Sequence, residues 1–246
     1  MTQANFNLRA WASNCRQLQS LAEADNVADN NTIVNILGLQ WNIKTDTLHF
    51  AVKTAIPENH ALITKREILQ QSSKIFDPLG YLSPVTIQAK LLLQQLWQRN
   101  VEWDEPLPQP LQDQWVSIAT EIQHATNLSI CRQYFTTEDP ITVDQLHIFA
   151  DASIKAYGAV AYLRSGSRTA FIMAKNRVAP LKELTLPRLE LMAAVIATKV
   201  SVFIITSLSL QQTPLYLWSD SQIVLYWIQQ NKKLTPFVSN RVTEIH

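Results

Sequence analysis

Glycine is scarce in this chain, four in 246 residues, which leaves little room for a glycine-rich loop that cradles phosphate. Cysteine is scarcer. Cys15 and Cys131 stand far apart and no Cys-x-x-Cys pair occurs, so a disulfide framework is excluded and a zinc site is disfavoured. So few cysteines suit a reducing compartment. The opening MTQANFNLRAW lacks the charged-then-apolar layout of a signal peptide. His124 and His147 have no paired ligand spacing, and no Ser/His/Asp or Cys/His set can be read. One long apolar run exists, LMAAVIATKVSVFIITSLSL at 191–210, long enough to span a bilayer. Lys199 near its middle would cost about 2.5–3.5 kcal/mol there, and the β-branched, serine-rich second half suits a helix end and loop. The expectation is a buried helix and no membrane partner.

Charge of one sign is also missing overall: 21 basic against 20 acidic residues give +1. That balance hides an asymmetry. Residues 141–246 hold 11 Lys and Arg against 6 Asp and Glu, a balance of +5, whereas 1–140 hold 10 against 14, a balance of −4. A basic C-terminal part suits a polyanionic partner. With 47% hydrophobic and 17% charged residues, the chain can build a sizeable core.

The periodicity predicts three stretches. Over 1–63, FNLRAWASNCRQLQSLAEAD reads as a helix. TIVNILGLQWNI and TLHFAVK read as strands about a turn at Lys44–Asp46, ended by Pro57. Over 64–140, Thr64 with Glu67 makes a capping box, Asp77 before Pro78 ends that helix, and two more helices follow over 85–100 and 112–126. Residues 127–145 read as an irregular link. From 141 to 246 the order is three strands, a helix, a fourth strand and another helix. That is an α/β mixed-sheet layer sandwich, its fourth strand parallel to its first by crossover.

Three acids sit among apolar neighbours: Asp151 closing LHIFA, Glu190 on the helix face of Leu186, Ala193, Ala194 and Ala197, and Asp220 closing LYLW. An ionised acid among core residues is costly without a compensating cation. Each alone reads as a helix cap, Asp220 in Ser219-Asp220-Ser221 above all. As a set they read differently. Two carboxylates at the ends of parallel strands, with a third from the crossing helix, give hard oxygen ligands for Mg²⁺, or Mn²⁺. Two such ions can activate a water against a phosphodiester.

These residues resemble the ribonuclease H domain of retroelement reverse transcriptases: FADAS with Asp151, LPRLELMAA with Glu190 and LWSDSQIVLYWI with Asp220. IFDPLGYLSPVTIQAKLLLQQLW at 75–97, AKNRVAPLKELTLPRLELMAA at 174–194 and FNLRAWASN at 6–14 resemble the Pol polyprotein of BEL/Pao-type LTR retrotransposons. The resemblance implies a reverse transcriptase palm end over 1–63, with LGLQWNIKTDTLHF similar to the hairpin that holds the primer. It implies a helical thumb/connection-like region over 64–140 and a ribonuclease H-like domain over 141–246. It also implies Mg²⁺-dependent hydrolysis of RNA in RNA–DNA hybrids, with Asp151, Glu190 and Asp220 as catalytic metal ligands. The implied partners are the hybrid and the rest of the polyprotein, reverse transcriptase palm and integrase included. The implied location is the cytoplasm, in virus-like particles. The family's fourth acid finds no match before His246, so weakened activity is expected of the chain as written. No Tyr-x-Asp-Asp polymerase motif and no Asp-Thr/Ser-Gly protease motif occurs.

Ser153 and Ser221 follow the acids and read as caps or phosphate contacts. Lys155, Lys175, Arg177 and Arg188 crowd the same stretches and read as hybrid-backbone contacts or a solvated basic face. Gly158 reads as a point of close approach by backbone or ligand. Trp97, Trp103 and Trp115 read as helical core. The alternative to a nuclease is a non-catalytic nucleic-acid- or partner-binding module, with hybrid binding that needs neither Mg²⁺ nor Asp151.

Overall fold

The computed structural model describes residues 9–29, 31–51, 63–135, 143–230 and 234–246. The expected helix start at Phe6, the far end of TLHFAVK and the break at Pro57 lie outside them.

The N-terminal part holds α1 (Arg16–Ala24) and an antiparallel sheet of β1 (Ile33–Ile36), β2 (Leu39–Asn42), β3 (Thr47–Phe50) and β4 (Ser129–Cys131), in that order. Three expectations are corrected. The first helix begins only at Arg16, and residues 9–15 before it are not helical, with Trp11 bridging to Ala28 instead. The run TIVNILGLQWNI is two strands, because Leu37 and Gly38 both take positive φ, 48° and 85°, the pattern of a two-residue hairpin turn matched to strand twist. The stretch after residue 127 is not wholly irregular either. Residues 129–131 pair with β3 as β4, and Arg132 binds the Asp46 carboxylate from beyond the strand.

The helical layer is α2 (Lys65–Ser73), α3 (Ser83–Gln98) and α4 (Gln109–Thr126). Thr64 caps α2 by accepting the Glu67 N–H at 3.2 Å, as the capping box predicts. Asp77 does more than end a helix. Its carboxylate accepts the N–H groups of Tyr81 and Leu82 at 2.9 and 2.7 Å and so shapes the entry to α3. Leu92, Leu96, Trp115 and Ile122 fill the core between these helices. Trp97 and Trp103 depart from the core expectation. They meet edge to face, with the Lys65 ammonium 3.7 Å from the Trp97 ring centroid.

The third part is the mixed sheet, β7 (Arg168–Val178), β6 (Ala156–Ser165), β5 (Gln145–Ala152) and β8 (Leu215–Trp218) in spatial order, with β8 parallel to β5 and the other pairs antiparallel. The helix α5 (Leu186–Ser207) crosses one face. Leu146, Ile148 and Ala150 of β5 and Ala159, Ala161 and Leu163 of β6 alternate inward to meet Leu189, Ala193, Ala197 and Val200 of α5. This is the period-2 face of a sheet meeting the stripe of a helix. Apolar α5 is the one described helix long enough to cross a membrane, but over half of its most apolar window is buried in this core. Lys199 pairs with Glu244 at 2.6 Å. The helices α6 (Gln222–Gln229) and α7 (Pro236–Ile245) follow, and α7 lies against α5.

The helical layer docks on the free side of β7. The Ala174 N–H donates to the Leu79 carbonyl at 2.8 Å, the Asn176 amide to the Ser83 carbonyl at 3.3 Å and the Gln94 amide to the Ala179 carbonyl at 2.5 Å. Gly80 makes this possible. Its φ is +78°, and a Cβ there would collide with the Ala174 carbonyl.

Candidate metal centre

Strand register sets two of the three acids level. Phe149 of β5 is the partner of Trp218 of β8. Asp151 and Asp220, each two residues further on, therefore leave the parallel pair side by side. Glu190 comes from the first turns of α5, where Leu189 and Ala193 hold the helix against the sheet. One carboxylate oxygen from each of Asp151, Glu190 and Asp220 lies within 4.8 Å of the others.

The electrostatics are those of an uncompensated anionic cluster. Glu190 is 8% exposed, and its Oε2 is buried without a hydrogen-bond partner. Burial, then the charges of Asp151 and Asp220, push its carboxyl up to about 7, against a small opposing pull from the Ala152 N–H. Asp151 is exposed, and its Oδ1 accepts the Ala152 N–H at 2.7 Å. Asp220 is exposed and makes no cap. The N-cap of α6 is Ser221, and no side chain caps that helix. The cap reading of Asp220 therefore fails. A buried orphan oxygen beside two further carboxylates fits a divalent cation bound through oxygen ligands.

The other candidates divide. Ser153 is occupied in the β5–β6 turn, where its Oγ accepts the N–H groups of Lys155 and Ala156 at 3.2 and 3.1 Å. Lys175 lines a shallow cavity of about 260 Å³ with Phe149, Asp151, Gly158 and Asn176. Lys155 lines a different one of about 650 Å³ with Gln94, Gln98 and Leu181. Arg177 is exposed on β7 opposite Tyr157, and Arg188 lies over the Phe237 ring. The basic residues that crowd the sequence are thus spread over several surfaces. The close approach at Gly158 is made by backbone: a Cβ there would stand 2.7 Å from the Lys175 carbonyl oxygen. Ser83 and Asn176, which line a further hollow beside Asp151, carried no signal in the sequence. They are ordinary polar residues that only the docking of α3 on β7 brings there.

The Pao retrotransposon-like RNaseH-like domain family matches residues 64–221, from the α2 cap to the N-cap of α6. No curated protein matches the chain. Among solved structures, the foamy viral protease–reverse transcriptase in complex with an RNA/DNA hybrid aligns with a TM-score of 0.54 and 15% identity, over 92% of this chain and 31% of that one. Two further foamy viral protease–reverse transcriptase structures, in complex with double-stranded DNA, align at a TM-score of 0.43. One has 15% identity over 89% of this chain and 36% of that one, the other 14% over 90% and 44%. At such identity the likeness speaks to fold alone. The chain spans about a third of the length of the first of these proteins.

Proposed function

Because the chain belongs to the Pao retrotransposon-like RNaseH-like domain family, we propose that it is the nuclease part of a retroelement polyprotein, hydrolysing RNA in RNA–DNA hybrids with Mg²⁺ or Mn²⁺. The observation that carries this reading is the convergence of Asp151, Glu190 and Asp220, with one buried carboxylate oxygen left unpartnered. It is supported by the fold shared with a protein solved in complex with an RNA/DNA hybrid.

In this reading Asp151, Glu190 and Asp220 hold the metal. When bound, the metal supplies an activated water and charge stabilisation at the phosphodiester. The protein does the rest. The parallel register of β5 and β8 holds the two aspartates level, and α5 fixes Glu190 from below. The open side of the cluster, where Asp151 and Asp220 are exposed, admits a polynucleotide. Lys175, at the rim of the cavity beside Asp151, would meet a phosphate, with Arg177, Arg188 and Lys155 as more distant contacts and Ser153 and Ser221 as minor ones.

We assign residues 1–63 to a polymerase palm end and 64–140 to a thumb/connection-like layer, and we place the protein in the cytoplasm, in virus-like particles with the rest of the polyprotein. The test is cleavage of a labelled RNA–DNA hybrid in Mg²⁺ or Mn²⁺ beside Asp151→Asn. Cleavage by the parent that the variant loses supports the nuclease. Hybrid binding without cleavage, unchanged in Asp151→Asn and indifferent to metal, would replace it with a non-catalytic binding module.

A further inference from the structure

The helix α7 runs along α5 in the same sense. Phe237 lies by Arg188, Arg241 by Met192 and Glu244 by Lys199. The two ends of this seam differ. At the far end a lysine is neutralised by a glutamate at 2.6 Å. At the end near Glu190 two guanidiniums meet one ring, with Arg241 3.9 Å and Arg188 5.1 Å from the Phe237 centroid. Those two distances cap their separation at about 9 Å. Neither arginine has a carboxylate partner among the described residues, whose salt bridges are Arg66–Asp104, Arg132–Asp46 and Lys199–Glu244. Arg241 spends one N–H on the Phe237 carbonyl at 3.2 Å and one on the Met192 sulfur at 3.4 Å. Three of its five donors remain.

Holding two like charges this close without a counter-charge suits an anionic ligand better than helix packing, for which the Lys199–Glu244 pairing serves. The guanidinium fork matches phosphate oxygens in pairs. The position selects the source of the phosphate. Arg188 is two residues before Glu190 on α5, about 3 Å along the helix axis and on the side that meets α7 rather than the sheet, and residues 141–246 carry a balance of +5.

We infer that Arg188 and Arg241, spaced by Phe237, clamp a non-scissile phosphate of the polynucleotide whose cleaved bond lies at the carboxylate cluster. The clamp rests on the nuclease reading for its ligand. Arg241 and Phe237 are binding residues that composition and spacing did not single out.

The test is fluorescence-polarisation binding of a labelled RNA–DNA hybrid to the full chain in EDTA, between 50 and 200 mM salt. Parent, Arg188→Gln, Arg241→Gln, the double variant and Arg241→Lys are compared, each with a thermal melt. Each Gln substitution should weaken binding about five- to tenfold, independently of hybrid sequence, and lower the slope of log affinity on log salt by about 1; the double should lower it by about 2. Arg241→Lys should keep most of the slope. A lowered melting temperature with an unchanged slope, or no hybrid binding by the parent, overturns the clamp. Unchanged slopes beside cleavage that Asp151→Asn abolishes would sink the clamp and leave the nuclease. Lowered slopes beside a parent that never cleaves would keep the clamp and sink the nuclease.

Discussion

The mixed sheet has two unlike edges. On the β7 side, the loop at 77–83 and α3 supply carbonyl acceptors to Ala174 and Asn176, Gly80 lies directly against the strand, and Tyr81 meets the Phe171 ring at 4.5 Å. On the β8 side no described strand pairs beyond Leu215–Trp218, and all four of those residues are exposed. An aromatic patch continues from that edge over the face opposite α5. His147 stacks on Tyr216 at 5.0 Å and accepts the Trp218 indole N–H at 3.1 Å, and Phe149 stacks on Trp218 at 6.0 Å. The closed edge is a structural joint. Asp151 and Asp220 lie toward the open one, at the ends of β5 and β8, where Glu190 of α5 meets them. Support and the candidate site lie mainly apart, meeting where Ser83 and Asn176 of the joint line the hollow beside Asp151: damage to the joint should cost stability first, and damage near the open edge should cost activity or metal response.

The largest effect expected is Asp151→Asn. Removing a ligand from an ion that contributes several kcal/mol to the transition state should lower hybrid cleavage about a thousandfold or more with the melting temperature scarcely lowered. A rate loss matched by unfolding would break the comparison. Next is the joint. Gly80→Val forces a side chain into positive φ and onto the Ala174 carbonyl, and should cost about 3 kcal/mol, measured by urea denaturation. An effect under about 1 kcal/mol would mean that the helical layer does not depend on this contact.

Third is pH. The Glu190 carboxyl is raised from 4.5 to about 7 in the folded chain, so the fold binds its proton more tightly than the unfolded chain does. Glu190's contribution to metal-free stability should therefore be greatest below pH 4.5, fall as pH rises to about 7, and level off above, by an amount on the order of 2 kcal/mol. Thermal melts of the metal-free protein at pH 5 and 8 read this. Glu190→Gln should flatten the profile, and Mn²⁺ at pH 8 should restore the parent but not the variant. The smallest effect should come from the open edge. Trp218→Ala removes ring stacking from a half-exposed side chain and should cost about 1 kcal/mol. A loss as large as that of Gly80→Val would show that the β8 edge is buttressed after all.

Much of the candidate site was legible in the sequence because several ionisable acids among apolar residues are costly as a set. Asp151 and Asp220 announced themselves by LHIFA and LYLW, and Glu190 by its place in an apolar helix. The β-β-β-α-β-α order gave the mixed sheet. What the linear pattern hid has specific causes. The hairpin at Leu37–Gly38 was masked because leucine is not a turn residue, although here it takes a positive φ. The strand β4 was missed because three residues carry no usable period, and its partner lies some eighty positions away. The grouping of Lys155, Lys175, Arg177 and Arg188 failed because nearness in sequence across strands and a helix start is not nearness in space.

By itself, then, the sequence determined which residues carry charge into an apolar setting, and which of the longer segments are strands or helices, because side-chain period and burial cost are local properties. Only the tertiary structure decided that Phe149 opposes Trp218 and so sets Asp151 beside Asp220. It also decided that α3 closes one edge of the sheet and that Arg241 reaches Arg188 across Phe237. Those relations depend on register and docking between distant segments, which packing fixes and which no short stretch of sequence encodes.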